Sequence, residues 1–140
     1  MQTESQKVKH ILLVGNPNVG KSTIFNLLCN KNQKTGNYAG VTVASHQGTY
    51  IHKGEEVEIV DLPGSYSIYP TSEDEAIFTK YLIEEQEKYS GVIYIADALN
   101  LNRSLLLFQQ IKDLGLPVLV VLNQMDLAEK RGLHIDSKKL

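Results

Sequence analysis

The stretch GNPNVGKS, residues 15–22, decides the fold. It fits the spacing G-x-x-x-x-G-K-[ST], in which glycines let backbone N–H groups point inward around an anion. An apolar run at residues 10–14 precedes it, and Ile24, Leu27 and Leu28 follow with the spacing of one helix face. A strand, a glycine-rich loop and a helix in this order predict a phosphate-binding loop rather than a chance glycine-rich turn.

The predicted chemistry of this loop lies in two side chains. Lys21 would bring a positive charge to the β- and γ-phosphates of a nucleoside triphosphate, and the Ser22 hydroxyl is a predicted Mg²⁺ ligand. The helix that begins at Gly20 adds the positive end of its dipole. The other loop positions predicted to surround the phosphates are Gly15, Asn16, Pro17, Asn18, Val19 and Thr23.

Three continuous apolar runs, at residues 11–14, 92–96 and 118–122, indicate a parallel sheet. Strands of a parallel sheet are covered by helices on both faces and therefore read as unbroken apolar runs. Residues 100–114 predict the helix between the last two runs. The predicted class is α/β, with a mostly parallel sheet.

The segment between the first two runs predicts a loop, a hairpin and a helix. Residues 32–43 have no clear period and are interpreted as a loop. Residues 46–53 and 57–60 flank Lys53-Gly54 and predict a hairpin, which would add one antiparallel edge strand. Ser72, followed by three acidic residues, predicts a helix start. The predicted buried stripe of that helix is Ala76, Phe78, Tyr81 and Leu82.

The stretch DLPGSYS, residues 61–67, predicts the second part of a nucleotide site. Asp61 would hold Mg²⁺, through water, and the Gly64 N–H would meet the γ-phosphate, with Leu62 and Pro63 between them. GTP hydrolases of the Ras type often place a glutamine after this glycine to orient the attacking water. Ser65 stands there, which leaves open a hydrolase without its glutamine or a binder that does not turn over.

NQMD, residues 123–126, follows the last apolar run. In GTPases an N-[KQ]-x-D stretch at this point recognises guanine, and here it would involve Asn123, Gln124 and Asp126. The aspartate accepts hydrogen bonds that adenine has no groups to donate, so a carboxylate left unpaired disfavours ATP. Gln124 replaces a lysine that packs on the base in many GTPases, which predicts modest guanine affinity.

Four segments in order, GNPNVGKSTIFN, GNYAGVTV, DLPGSYSIYPTSEDE and NQMD, resemble the N-terminal GTPase domain of the FeoB ferrous iron transporters. The resemblance runs from about Val8 to Asp126. It implies a Ras-like P-loop GTPase, residues 8–140, that is C-terminally incomplete and follows a disordered segment at 1–7. It also implies slow hydrolysis of GTP to GDP and phosphate, coupled to ferrous iron transport by a permease domain of the same longer chain at the cytoplasmic face of the inner membrane.

The resemblance also implies roles for two switch segments, residues 34–43 and 62–75. Thr42 would close on Mg²⁺ and the γ-phosphate, beside Gly40 and Val41. Asn18 would ligate K⁺ together with backbone carbonyls near Gly36 and Tyr38, and that ion would replace an arginine finger. The alternative for Asn18 is a turn residue that only shapes the loop.

Composition bounds the remaining functions. The net charge of −2 and the pI near 6.1 give no sign of a nucleic-acid partner. The four histidines are scattered and do not have the spacing of metal ligands, so no iron site is expected in this domain. Cys29 is the only cysteine and is interpreted as a buried thiol. The alternatives left open are a ribosome-assembly GTPase, a nucleotide switch without significant turnover, an ATPase, and self-association as a homo-oligomer.

Overall fold

The computed structural model describes residues 8–17, 19–30, 32–38, 40–41, 43–123, 130 and 132. In these residues six strands form one sheet, in the order β2-β3-β4-β1-β5-β6. The strands are β1 (Lys9–Gly15), β2 (Gln33–Asn37), β3 (Ala44–His52), β4 (Glu55–Asp61), β5 (Gly91–Asp97) and β6 (Val118–Asn123). The helices are α1 (Lys21–Cys29), α2 (Glu73–Thr79) and α3 (Leu101–Lys112).

The centre of the sheet is parallel, as the apolar runs predict. Strand β1 pairs in parallel with both β4 and β5, so that Leu12 lies opposite Val60 on one side and Val92 on the other. Strand β6 pairs in parallel with β5. Successive side chains of a strand point to opposite faces. Leu12 therefore packs in the cluster that contains residues of α2 and α3, whereas Leu13 packs in the cluster of α1.

Strand β3 is the one antiparallel neighbour of the parallel group, and it comes from the predicted hairpin. His52 pairs with Glu55, which leaves Lys53 and Gly54 as a two-residue turn. Both have positive φ, 51° and 82°, as a type I′ turn requires. The mixed, mostly parallel sheet is confirmed.

The loop predicted for residues 32–43 is wrong over Gln33–Asn37, because these residues form β2. They pair antiparallel with β3, from Gln33 opposite Gly48 to Asn37 opposite Ala44. The edge of the sheet is therefore β2, with β3 inside it. Strand β2 has no apolar side chain and is held by backbone pairing, so its sequence carries no alternating pattern.

Helix α2 begins as predicted, with Ser72 as its N-cap and three acidic residues in its first turn. The predicted stripe is wrong at Ala76, which is exposed, while the neighbouring Ile77 is buried. Phe78 and Leu82 are fully buried, as predicted. Ala76 and Phe78 are two residues apart and cannot lie on the same helix face, whereas Ile77, Phe78 and Leu82 can. A π-helical turn, Lys80–Glu84, continues the helix.

The helices cover both faces of the sheet. Phe25 and Cys29 of α1 pack on one face, and Leu107 and Ile111 of α3 pack on the other. Burial, with a smaller effect of the Asp61 carboxylate, raises the pKa of the Cys29 thiol. None of the helices in the described segments has the length and apolar character needed to span a bilayer.

Candidate functional site

The predicted phosphate loop joins the end of β1 to the start of α1 at the carboxyl edge of the parallel strands. Gly20 caps α1 with a φ of 86°, a left-handed conformation that favours glycine. A Cβ at Gly20 would lie 2.1 Å from Asn123 Nδ2. Asn123 in turn donates from Nδ2 to the Val19 backbone oxygen over 2.8 Å. The first residue of the predicted guanine motif therefore clamps the phosphate loop.

Lys21 and Asp61, predicted to hold phosphate and Mg²⁺, meet in one ion pair. The Lys21 Nζ donates to Asp61 Oδ1 across the loop, and the two side chains are only 11% and 9% exposed. Lys21 begins α1, and Asp61 ends β4 beside β1. Two charges removed from water stabilise each other only as a pair. The structure thus brings together the charged groups of two separate motifs.

The DLPG turn lies directly against the phosphate loop. A Cβ at Gly64 would come within 2.9 Å of the Pro17 backbone, so this approach requires glycine. The Ser65 N–H donates to the Gly15 oxygen over 3.1 Å, and Asn16 Nδ2 donates to the Ser65 oxygen over 2.7 Å. Asn16 is 2% exposed, so its amide serves this internal contact. The second switch therefore begins as a segment hydrogen-bonded to the loop.

The Ser65 side chain points into the second switch. Its hydroxyl, 1% exposed, donates to the Ser67 oxygen over 2.7 Å and lies 3.1 Å from Glu75 Oε2. Glu75 Oε1 accepts from the Thr71 N–H over 2.9 Å and from the Thr71 hydroxyl. These hydrogen bonds, those of Thr71 first, lower the pKa of Glu75. Ser65 thus links the phosphate loop to the start of α2.

Sequence reasoning missed the role of Glu75, which it treated as part of a solvated helix start. The available signal was the spacing of Ser72 and Glu75, which is that of a capping box. The Glu75 N–H does donate to Ser72 Oγ, over 3.2 Å. The carboxylate, however, turns to Thr71 and Ser65 instead of closing the box on Ser72.

The first switch is represented by Gly36, Tyr38, Gly40, Val41 and their neighbours. Tyr38 is 4% exposed and donates its hydroxyl to the Asp61 backbone oxygen. Its N–H donates to the Val43 oxygen over 3.0 Å, and its own oxygen accepts from the Val41 N–H over 3.2 Å. Gly40 has a φ of 79° inside this turn. These contacts join Tyr38, Val41 and Val43 to one another and tie Tyr38 to the end of β4.

The remaining predicted site residues differ in their exposure to solvent. Ser22 and Thr23 are exposed in the first turn of α1, whereas Leu62 is fully buried and Pro63 half-buried after β4. The predictions that fall on Asn18, Thr42, Gln124, Asp126 and residues 1–7 lie outside the described residues. Among the residues that are described, no three His, Cys, Asp or Glu side chains group as metal ligands.

Arg103 lies next to the phosphate loop, across a shared cavity. Its guanidinium carbon sits 4.6 Å from the centroid of the Tyr66 ring. Arg103 lies on α3 and belongs to none of the sequence motifs. The structure places it at a cavity of about 180 Å³ that also borders the loop. The residues that line this cavity are Asn16, Pro17, Val19, Tyr66, Asp97, Asn100, Arg103 and Ser104.

The sequence matches a known family along most of its length. The model of the family described as ferrous iron transport protein B matches residues 9–140. The Fe(2+) transporter FeoB of Leptospira biflexa is 48% identical over 134 residues, which cover 96% of this chain and 19% of that protein. The FeoB of Legionella pneumophila strain Lens is 46% identical over 135 residues, 94% of this chain and 18% of that protein. The chain spans about a fifth of the length of these relatives.

Solved structures share the fold at sequence identities between 34% and 46%. The cytosolic domain of L. pneumophila FeoB has a TM-score of 0.89 and 46% identity, over 94% of this chain and 51% of that one. The G domain of T. maritima FeoB has a TM-score of 0.87 and 34% identity, over 95% and 80%. An S. thermophilus NFeoB variant bound to GDP has a TM-score of 0.86 and 37% identity, over 94% and 50%. The chain therefore belongs to the family of ferrous iron transport protein B.

Proposed function

We propose that this chain binds GTP and hydrolyses it to GDP and phosphate. The observation that carries the proposal is the buried pair of Lys21 and Asp61, which joins the phosphate loop to the DLPG segment. Both groups then face the point where a β- or γ-phosphate and its metal would lie. Residues 8–140 would form the nucleotide-binding domain. The GDP bound to the S. thermophilus relative supports a guanine nucleotide as the ligand.

Magnesium is the metal that this donor set fits. Asp61 offers a buried carboxylate at the end of β4, and Ser22 offers a hydroxyl at the start of α1. Hard oxygen donors beside phosphate are what Mg²⁺ takes in nucleotide sites. Ser22, Thr42 and Asp61 would hold the ion, which neutralises charge on the phosphates when bound. Lys21 would exchange its contact with Asp61 for phosphate oxygens.

A backbone N–H at the phosphate end and two side chains at the base end would position the nucleotide. The Gly64 N–H would donate to the γ-phosphate, because Gly64 packs on Pro17 at the edge of the loop. Asn123 would hold the loop through Val19, while Asp126 would accept from the guanine ring. An adenine base would leave the Asp126 carboxylate unpaired.

We infer that K⁺ completes the site in place of a glutamine and an arginine finger. Asn18 would ligate the ion beside carbonyls near Gly36 and Tyr38. What supports this is the Ser65 side chain, which is buried and whose hydroxyl is hydrogen-bonded to Ser67 and Glu75 inside the second switch. Positive charge for the transition state would then come from an ion rather than from a side chain.

We propose that the two switches report the nucleotide state to a ferrous iron permease of the same longer protein, at the cytoplasmic membrane face. The support is the family itself, whose members here are Fe(2+) transporters about five times the length of this chain. Glu75, Ser65 and the Gly15 oxygen form a continuous set of contacts from the loop to α2. A change at the phosphate would therefore reach the outer surface of α2.

The test is Mg²⁺-dependent GTP turnover in KCl and in NaCl at equal ionic strength. We expect turnover that Lys21→Ala abolishes and that KCl accelerates. Equal rates in both salts would leave a GTPase but remove potassium from it. A chain extended past Leu140 serves as the parallel sample, and absence of turnover in both chains would reject the hydrolase.

A second candidate function is a nucleotide switch without useful turnover, favoured by the burial of the Ser65 hydroxyl. A single-turnover measurement separates the two. Product formed from bound GTP within one binding lifetime indicates an enzyme, whereas intact GTP indicates a switch. Competition by ATP in the same assay checks that the base is recognised.

A further inference from the structure

Among the described residues of the first switch, Tyr38 is the one whose hydroxyl reaches the strand that carries the predicted magnesium carboxylate. It follows directly on β2 and is 4% exposed, although its neighbours Gly36 and Asn37 are exposed. Its hydroxyl donates to the backbone oxygen of Asp61. A buried tyrosine hydroxyl generally keeps such a partner, since leaving it unpaired is costly.

Asp61 is therefore held from two directions. Its backbone oxygen accepts from Tyr38, and its carboxylate accepts from Lys21 of the phosphate loop. These contacts place one donor from the first switch and one from the loop on a single residue. Any movement of Tyr38 away from β4 releases one of the two.

The ring of Tyr38 is fixed by other aromatic side chains. It packs edge-on against Tyr81 with centroids 5.4 Å apart, and Tyr81 stacks on Tyr89 at 6.1 Å. Tyr81 belongs to the π-helical turn that follows α2, so this turn supports the tyrosine of the first switch. Burial, and then the negative charge of Asp61, raise the pKa of Tyr38, which keeps its hydroxyl protonated as a donor.

We propose that the Tyr38 hydroxyl is a positioning group that fixes the turn formed by Tyr38, Val41 and Val43 to Asp61. The inference rests on the proposed function, because Thr42 belongs to the same switch segment of the sequence and Asp61 is its predicted partner on magnesium. With the turn already held, the magnesium ligands of the first switch and of β4 are pre-organised relative to each other. The Tyr38 hydroxyl would act through Asp61 and not as a ligand of magnesium or phosphate.

The first measurement needs no metal and no nucleotide. Amide hydrogen exchange is recorded at Tyr38, Val41 and Val43 in wild type, Tyr38→Phe and the control Tyr81→Phe. Tyr81→Phe removes a hydroxyl from the same aromatic cluster and leaves the contact with Asp61. Loss of one hydrogen bond predicts roughly threefold to tenfold faster exchange in Tyr38→Phe alone. Equal exchange in both variants would overturn the proposal.

The second measurement is the Mg²⁺ concentration that gives half-maximal GTP turnover. We expect it to rise roughly threefold to tenfold in Tyr38→Phe, with a smaller change in turnover at saturating Mg²⁺. If the wild-type protein is active and Tyr38→Phe requires the same Mg²⁺ concentration, the inference is rejected and the proposed function stands. Absence of turnover both in wild type and in the chain extended past Leu140 would instead reject the proposed hydrolysis, and the exchange comparison would still test the contact between Tyr38 and Asp61.

Tyr38→Trp covers the case in which Tyr38→Phe does not fold. The chain has no tryptophan, so the new indole is a unique fluorophore that retains an N–H donor. Its emission should shift when Mg²⁺ is added in the presence of GDP, because the turn and Asp61 respond together. Emission that does not respond to Mg²⁺ while GDP is bound would contradict the coupling.

Discussion

Arg103 of α3 lies with its guanidinium carbon 4.6 Å from the centroid of the Tyr66 ring, next to Ser65 in the second switch. A cation above an aromatic face is attracted by the negative charge of that face. Tyr66 is 38% exposed, so the contact is open to solvent on one side. It joins α3 to a segment that is hydrogen-bonded to the phosphate loop.

This contact predicts a measurable coupling between the two residues. Arg103→Ala and Tyr66→Leu should each reduce the free energy of unfolding, and the double variant should lose about 0.5–1 kcal/mol less than their sum. Urea unfolding of the four proteins gives the coupling. Additive losses would show that the cation and the ring do not interact in solution.

Substitutions of Lys21 and Asp61 should change the free energy of unfolding of the nucleotide-free protein in a strongly non-additive way. Lys21→Met or Asp61→Asn leaves the other charge in a site less than an eighth exposed. We expect each single variant to lose about 2–3 kcal/mol, somewhat less than a fully buried pair, while the double variant stays within about 1 kcal/mol of wild type. Chemical denaturation without nucleotide tests this. A double variant as unstable as the sum would contradict it.

Gly20→Ala should lower the free energy of unfolding more than its matched control, Gly54→Ala. In Gly20→Ala the new Cβ would meet Asn123 Nδ2 at 2.1 Å, in addition to a φ of 86°. Gly54→Ala has the same backbone penalty at a φ of 82°, but nothing lies within 4 Å of the new Cβ. We expect about 1 kcal/mol for Gly54→Ala and about 3 kcal/mol for Gly20→Ala. Equal losses in thermal unfolding would show that Asn123 yields without cost.

Ser65→Gln tests whether the missing glutamine can be restored by substitution. The Ser65 side chain is 1% exposed and hydrogen-bonded inside the second switch. A longer side chain there should cost about 1–3 kcal/mol through overpacking and should not raise GTP turnover. Turnover and urea unfolding are measured together. A faster Ser65→Gln would show that position 65 reaches the attacking water.

Glu75 predicts a pH dependence with a defined sign. Its pKa is lowered from the ordinary value of 4.5, by the hydrogen bonds from Thr71 before that from Ser65. A carboxyl with a depressed pKa stabilises the fold above its ordinary pKa, and this contribution is lost as pH falls through the folded value. The difference in unfolding free energy between wild type and Glu75→Gln should therefore be constant near pH 7 and shrink below about pH 4.5. A difference that does not depend on pH would contradict this assignment.

The sequence alone predicted the parallel centre of the fold least ambiguously, whereas it assigned Lys21 and Asp61 to the site without predicting the ion pair between them. Residues 11–14 and 92–96 are apolar on both faces, and a glycine-rich loop after the first of them has few structural alternatives. Lys21 follows β1 after the loop, and Asp61 ends the neighbouring strand β4. The fold therefore places both residues at the same edge of the sheet. In local patterns such as the apolar runs and the loop, the residues concerned are close together in the sequence, so their spacing indicates the structure that they form.

What the sequence did not show depends on contacts between distant segments. Strand β2 consists of polar residues that become a strand only because β3 offers an unpaired edge. Tyr38 stands in a polar segment, where nothing in the sequence indicates that its hydroxyl would reach Asp61. Glu75 resembles its two acidic neighbours, and only the approach of Thr71 and Ser65 distinguishes it.

The clamp of Asn123 on Val19 also has a consequence for the order of events during synthesis. The two residues lie 104 positions apart along the chain. A ribosome therefore completes the phosphate loop long before the residue that holds it emerges, and β6 joins the sheet last among the strands described. A nascent chain that lacks β6 would carry the whole loop motif without its clamp, so tight nucleotide capture should arrive late in translation.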